Sequence, residues 1–472
     1  MKTYELQEET QHMTTERNDS MQDHPDVMLH PAIPYDPDDM ESSPYQMRRG
    51  LLTRESFSGW EKETLSWKYS AYIGANLTMP IQYLRGPEAA KLLADHCTSD
   101  FTTMKPGRAR HAIMCSEKGN IIRNGVILRT SEEEFQCYTF APLIEILANS
   151  GKYNVEAMPT AVFRDFIFQI GGPKSLEILE HAAREDLHDI KFMAFRSTMI
   201  AGHKVRILRM GMAGTLGYEV HGPLECAHDV HGRIFEAGRE FGIERLGSIA
   251  YQLCNHTENG FPQTGHHFMT AEAEHPEYAR YMGSACSIET LKKQVSGSYT
   301  ENPEDLYRTP LEFGWDNMIS FKHDFLGKEA LQRMKEEGKY KRVVSLEWNE
   351  EDILDVIASF FRGDEHPYKL MGFPHDRKAT RNADRVLDKN GRIIGAALGR
   401  VYTLYYRKMI SLAVIEPEYT ELGTEVTVVW GNKNDRKKNI RATVARFPYL
   451  DLVRNEKFDV ETIPHYKRQA TN

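Results

Sequence analysis

The chain has 472 residues, 59 Lys and Arg against 68 Asp and Glu, a net charge of −9, and 40% hydrophobic and 27% charged residues. This mildly acidic composition excludes the basic surface that a duplex DNA binder needs. With a mean hydropathy of −0.54, the sequence holds no apolar run of the about 18 residues needed to span a bilayer. Its start, MKTYELQEETQH, lacks the apolar core of a secretory signal and is too acidic for a transit peptide. A cytoplasmic protein without nucleic-acid or membrane partners is therefore expected; its oligomeric state is left open. The six cysteines are scattered with no C-x-x-C pair, so they read as thiols in a reducing compartment. No phosphate-binding loop, nucleophile elbow or strand-linked dinucleotide fingerprint is present.

In chain order, residues 1–50 read as an extended acidic, Pro-rich arm, either packed on the body or loose. Residues 51–340 read as an α+β body. Two of its segments look alike: MPIQYLRGPEAAKLLADH (Met79–His96) and DFIFQIGGPKSLEILEH (Asp165–His181). Each is an alternating strand, a Gly-Pro step and a helix, with Pro87 and Pro173 expected at the first helical position. Their likeness suggests a pseudo-repeat. FLGKEALQRMKEEG (Phe325–Gly338) is a third helix. Residues 341–472 read as a β module. RVVSLEW, DRVLDKNGRIIGAALG, MISLAVIEP, GTEVTVVWG and IRATVARFP are strands with turn punctuation, and the helix-like DILDVIASFFRG is inserted near their start.

GMAGTLGYEVHGP (Gly211–Pro223) resembles the folate-binding segment of the glycine-cleavage T-protein family. FQIGGPKS, KFMAFRSTMIAGHKVRILRM, AGREFGIERLGSIAY, ENGF and FKHDFLGKEAL are similar to one branch, the tetrahydrofolate-dependent aryl O-demethylases that act on vanillate, 3-O-methylgallate and syringate. The resemblance runs from about residue 55 to 450. It implies an α+β fold with two pseudo-repeated units around a central folate cleft and a C-terminal β-barrel-like domain.

It also implies roles. Glu219 stands in an apolar strand, where a buried charge needs partners. By resemblance it anchors the pterin, whose N3–H and 2-amino group form a donor pair. Gln169, Phe192 and Phe261 are implied around the same cofactor, each with structural packing as its competitor. Tyr251 is implied as the catalytic acid, since a phenol near pKa 10 matches a phenolate leaving group. The loop after it is one residue longer than in the relatives.

There are departures from the family pattern. The demethylases' substrate-facing His falls at Thr78 and their Arg at Phe140. The acidic residue of T-proteins falls at or beside Asn124, which cannot act as a base. Arg123, His111, His256, His266 or His267 could supply replacement charge, or serve structure. The His266-His267 pair has no third ligand at metal-like spacing, so no metal is expected. The implied activity is transfer of a methyl group from a small-molecule methoxyarene to N5 of tetrahydrofolate. A sulfonium or methylamine donor, or folate binding without catalysis, are the alternatives.

Overall fold

The computed structural model describes residues 30–33, 45–48, 51–75, 79–158, 164–299, 302–363, 365–376 and 381–467. Most of residues 1–50, and with them the reading of the arm, lie outside these, as does Thr78. Of the arm, Tyr45–Arg48 pairs with Leu51–Arg54 as a hairpin, and the His30 ring meets the Ala75 carbonyl at 2.8 Å.

Three large sheets carry the architecture. The first has six strands in the order Phe195–Ile200, His203–Leu208, Gly217–Pro223, Asp165–Gly171, Ala71–Gly74 and Ile243–Arg245. Only the last pair is parallel. Side chains alternate across a strand, so Phe166, Phe168 and Ile170 share a face with Tyr218 and Val220. That face buries against Leu176 and Leu179 of the Ser175–Ala183 helix and Val230 and Ile234 of the Ala227–Gly238 helix. The opposite face is left to Gln169, Glu219 and His221.

The second sheet has five strands in the order Arg108–Cys115, Ile121–Arg129, Glu134–Tyr138, Ile81–Arg85 and Glu156–Ala157. The free faces of the two sheets meet through Ile81, Tyr83, Leu128 and Tyr138 on one side and Ile167 and Leu208 on the other. Half-buried Met79, Met158, Met193 and Met210 border this seam. Unbranched thioether side chains suit an irregular space between two sheets.

The third sheet has seven strands, and six of them close into a barrel, because Arg381–Leu387 pairs with both Ile393–Thr403 and Glu425–Trp430; Val295–Ser296 adds to Arg381–Leu387 outside the closure. Trp348, Trp430, Val386, Val428 and Ile440 fill this barrel. The Glu350–Ala358 helix is inserted after the first barrel strand, Arg342–Trp348. The α+β architecture with a C-terminal barrel is thus the one the resemblance implied.

The two Gly-Pro segments occupy equivalent places, one per sheet. Gly86 and Gly172 both have φ of 130°, a region open to glycine alone at little cost. A side chain at either would strike backbone, Asn154 O at 2.5 Å or Ser70 O at 2.4 Å. The prolines sit two residues before the first helical position, inside the turn that leads into each helix. Ala89 N–H donates to Gly86 O at 3.1 Å and Ser175 N–H to Gly172 O at 3.0 Å. Those bonds make Gly-Pro-x a turn with Pro at its second position, where its fixed φ is favoured. The helices therefore start at Ala89 and Ser175.

Candidate active site

On the free face of the first sheet, Gln169 and Glu219 are direct cross-strand partners. Gln169 Nε2 donates to Glu219 Oε1 at 3.0 Å. The other carboxylate oxygen, Oε2, lies 2.9 Å from His221 Nε2. His221 follows by one strand period, so it faces the same way, and its Nδ1 is 3.3 Å from the Tyr138 hydroxyl. That hydroxyl donates to Gln136 Oε1 at 3.0 Å, which also accepts from Arg206 at 2.6 Å. A polar chain thus runs from Glu219 across the seam between sheets. It ends in a cavity of about 190 Å³ lined by Lys204, Arg206, Ser197 and Tyr83. Glu219 is 5% exposed and Gln169 2%. An ionised carboxylate offers about four acceptor positions, so Glu219 keeps capacity for a ligand edge with two adjacent N–H donors.

Tyr72 is on the same face, one strand further, paired with Gly171. A Cβ on Gly171 would come 2.8 Å from the Tyr72 ring, so the glycine lets the ring lie flat on the neighbouring strand. Burial pushes the Tyr72 phenol well up, with the nearby Tyr251 and Glu219 adding to the shift. Tyr72 therefore stays protonated, and it marks the closeness of Tyr251 and Glu219. Gly74 plays the same part for Tyr251, whose ring would touch a Cβ there at 3.4 Å.

Tyr251 enters from a separate segment. Ala250–Cys254 is a π-helix that runs into the Asn255–Asn259 α-helix. A π-turn absorbs one extra residue without ending the helix. The longer loop expected from the sequence is therefore a bulge inside a helix. Below it, Gly247 N–H donates to Glu63 Oε2 at 2.8 Å, and any side chain at Gly247 would meet Glu55 O at 2.3 Å. The buried Glu63 carboxylate also takes Phe57 N–H and the Ser56 hydroxyl. Burial raises its pKa, and these bonds oppose the rise. Further along, Lys68 Nζ meets Glu258 Oε2 at 2.5 Å with both side chains buried, and Trp67 Nε1 donates to the same oxygen at 3.1 Å. Burial lowers the Lys68 pKa, with Glu258 opposing it.

Phe261 caps the far end of this segment. It stacks on Trp315 with ring centroids 5.1 Å apart and meets His111 edge-on at 5.2 Å. His111 Nε2 lies 3.4 Å from Asn124 Nδ2, and Thr264 donates to Asn124 Oδ1 at 2.5 Å. Burial pushes His111 and His256 down to about 4 and His267 well below its usual value. These three are neutral near pH 7 and supply no replacement cation.

Two substrate-facing expectations are corrected. Phe140 is fully buried in the core of the second unit with Phe135, Leu143 and Ile144. Arg123 lies on the face of its strand opposite Asn124, where it pairs with Glu272 at 2.9 Å and meets the Tyr278 hydroxyl. Strand alternation sends Asn124 and Arg123 to opposite sides. Phe192 is half-buried in a turn, and its carbonyl accepts from Arg108 at 3.2 Å. Sequence reading passed over Tyr72, His221, Glu63 and the Lys68–Glu258 pair. Of these, only His221 had a signal, its one-period spacing from Glu219.

Some buried polar atoms near the site are left over. Among the described residues, Gln169 Oε1 and His256 Nε2 have no partner, and Tyr72 and Asn255 adjoin without a well-formed hydrogen bond. Such atoms cost about 1–3 kcal/mol each when unmet. They fit a polar ligand lying along Glu219.

Residues 35–277 match the family described as GCVT N-terminal domain. The chain is 41% identical over 423 residues to a sesamin methylene transferase of Sinomonas sp. (strain No.22), covering 86% of this chain and 92% of that one. It is 32% identical over 426 residues to a syringate O-demethylase of Sphingobium sp. (strain NBRC 103272 / SYK-6), covering 84% and 90%. In fold it is similar to the glycine cleavage system aminomethyltransferase T from Bartonella henselae. The TM-score is 0.61 at 16% identity, covering 88% and 95%. Among the described residues, no helix is long and apolar enough to cross a membrane.

Proposed function

The chain belongs to the GCVT family, and we propose that within it this protein takes a one-carbon group from an aryl ether. It is a tetrahydrofolate-dependent methyltransferase. Bound tetrahydrofolate supplies the amine nucleophile that accepts the one-carbon unit. The observation that carries the aryl-ether reading is the phenol pair Tyr72 and Tyr251 beside the buried Glu219 carboxylate.

In this reading Glu219, held by Gln169 and His221, binds the donor edge of the pterin. The leftover Gln169 Oε1 takes a further ligand N–H. Tyr251 holds a proton for the leaving oxygen. Its phenol and a phenolate leaving group have similar proton affinity, so the transfer is close to balanced. Tyr72, kept protonated by burial, donates without ionising. Gly74 and Gly171 leave room for both rings against the sheet. Alignment of donor and acceptor against the sheet is an effect worth roughly 7–11 kcal/mol in favourable cases. With Phe140 in the core, Arg123 paired to Glu272 and His111 neutral, these residues offer no cation for a substrate carboxylate.

A second reading is favoured by the name of the relative with 41% identity, a methylene transferase. There the donated unit is a CH₂ held by two heteroatoms, and two leaving groups need protons. The test is incubation with tetrahydrofolate and a donor panel: methoxyarenes with and without carboxylates, methylene-bridged aryl diethers, a sulfonium and a methylamine. Mass spectrometry separates the 5-methyl from the 5,10-methylene product by two hydrogens. A 5-methyl product from an aryl ether supports demethylation, and a 5,10-methylene product replaces it with the second reading. Folate binding with no product from any donor overturns both.

A further inference from the structure

We propose that Tyr72 and Asn255 form a positioning pair behind Tyr251: Asn255 turns the Tyr72 hydroxyl toward the Tyr251 oxygen, and Tyr72 donates a hydrogen bond there as Tyr251 gives up its proton. This role rests on Tyr251 being the acid for the leaving oxygen.

Glycines bring the two phenols together. The point where a Cβ of Gly74 would lie is 3.5 Å from Tyr251 Cε2 and 3.6 Å from Tyr72 Cε2. Each of those carbons adjoins the carbon that bears the hydroxyl, so the hydroxyl ends of both rings border one glycine. Tyr72 is held from the strand side, its oxygen 2.8 Å from where a Cβ of Gly171 would lie. Asn255 comes from the Tyr251 side. It opens the Asn255–Asn259 helix one turn on from Tyr251, and residues so spaced share a helix face. Tyr72 and Asn255 are 0% exposed and Tyr251 6%. The pair therefore acts through Tyr251 and not on a substrate.

Unmet hydrogen-bonding groups give the direction. Among the described residues, the Tyr72 hydroxyl and both amide atoms of Asn255 lack a well-formed hydrogen bond. Buried polar groups in that condition are rare and call for a reason; here they belong to two adjoining side chains. Burial holds the Tyr72 phenol well up, with Tyr251 and Glu219 adding to the rise and the Asn255 amide opposing it. The opposing sign is that of an N–H directed at the phenol oxygen. An N–H there leaves the phenol hydrogen to point onward. Of the two neighbours, Glu219 already has one oxygen on Gln169 and the other on His221, and the Tyr251 oxygen is an acceptor by nature. The charged groups packed behind the π-turn are engaged elsewhere. Lys68 meets Thr64 O and Glu258, and Glu63 takes Ser56 and backbone N–H groups.

The chemistry needs such a donor. As the C–O bond of an aryl methyl ether breaks, the methyl carbon bonds to the accepting amine and the Tyr251 proton moves to the departing oxygen. Tyr251 is then a buried phenolate until the proton released by the amine restores it. Protons and electron pairs balance with no further reactant. A buried charge without a partner is costly, and a fixed O–H already aimed at the oxygen stabilises it as it forms. Tyr72 can give that bond and keep its own proton.

Tyr72→Phe keeps the ring over Gly171, and Asn255→Leu keeps the volume of the amide. Protein labelled with ¹³C at the tyrosine ζ-carbon is titrated by NMR, and the Tyr251 signal is the one missing from Tyr251→Phe. Loss of the donor is expected to raise the Tyr251 pKa by about one pH unit or more in Tyr72→Phe, and by less in Asn255→Leu. Turnover is then measured with tetrahydrofolate and either guaiacol or 5-nitroguaiacol. Tyr72→Phe is expected to lower kcat roughly 10²-fold with guaiacol and less with the nitro compound, whose oxygen leaves with little help from a proton. An unmoved Tyr251 titration in whichever variant folds overturns the pair, and so does an equal loss of kcat with both compounds. The titration needs no turnover. Failure of the parent to demethylate either compound would count against the aryl-ether reading, while the NMR result still decides the pair.

Discussion

Gln169 and Glu219 sit directly opposite one another on adjacent antiparallel strands, and the amide donates to the carboxylate at 3.0 Å with both side chains buried. The pair orients one carboxylate oxygen toward His221 and leaves the Gln169 carbonyl oxygen without a hydrogen-bond partner among the described residues.

Glu219→Gln keeps the size and removes the charge. Hydrogen bonds to a charged group contribute about 1.5–3 kcal/mol, so tetrahydrofolate affinity is expected to fall about 10- to 100-fold. Titration calorimetry with the reduced folate checks this. An unchanged Kd would remove Glu219 from cofactor binding.

Tyr251→Phe keeps the ring over Gly74 and loses the proton. Turnover is expected to fall about 10²- to 10⁴-fold, with folate affinity as in the parent. Single-turnover kinetics at saturating folate separates the two quantities. Full turnover by the Phe variant would exclude Tyr251 as the acid.

The Lys68–Glu258 pair lies beneath the π-turn that carries Tyr251. Lys68→Met leaves Glu258 charged and buried, which costs about 3–5 kcal/mol. The double change Lys68→Met/Glu258→Leu removes both charges and is expected to recover a large part of that loss. Urea denaturation of the three proteins tests this. Equal stability of the single and double variants would contradict it.

In the barrel, burial pushes the Asp384 carboxyl up to about 7, opposed by Lys369, Arg400 and hydrogen bonds from Ser298 and Asn382. The folded pKa is raised above the unfolded value near 3.9. Between the two, the folded chain holds a proton that the unfolded chain has lost. Its contribution to stability is fully present below about pH 4 and is lost as pH rises through about 7. The difference in unfolding free energy between parent and Asp384→Asn is therefore expected to fall across that window and flatten above it. Denaturation at pH 5, 6, 7 and 8 measures it, and a pH-independent difference would refute the raised pKa.

Much of the site was legible because strands alternate. FIFQIGG sets Gln169, and LGYEVHGP sets Glu219 and His221, on the face opposite Phe166, Phe168, Tyr218 and Val220, so Gln169 and Glu219 share the face turned toward the second sheet. The C-terminal strands were legible for the same reason. Phe140 and Arg123 misled because matching a motif slot fixes position along the chain and not the side of the strand. Asn124 and Arg123 are adjacent in sequence and face opposite ways. The π-turn could be seen only as a one-residue surplus, since its hydrogen-bond shift has no residue signature. Tyr72, Glu63 and the Lys68–Glu258 pair come together from distant segments. No local pattern announces such meetings.

The segment that follows the barrel, near residue 455, also sets an order of events. Asn455 donates to Gly217 O at 2.8 Å, 238 residues back along the chain, and accepts from Arg209. Val460 and Ile463 are members of the core that Phe168 and Val220 began. During synthesis, the sheet that bears Glu219 is therefore made early yet stays uncovered along one flank until the barrel has been translated. That flank is where a chaperone would find apolar surface, and it links correct assembly of the first unit to completion of the last.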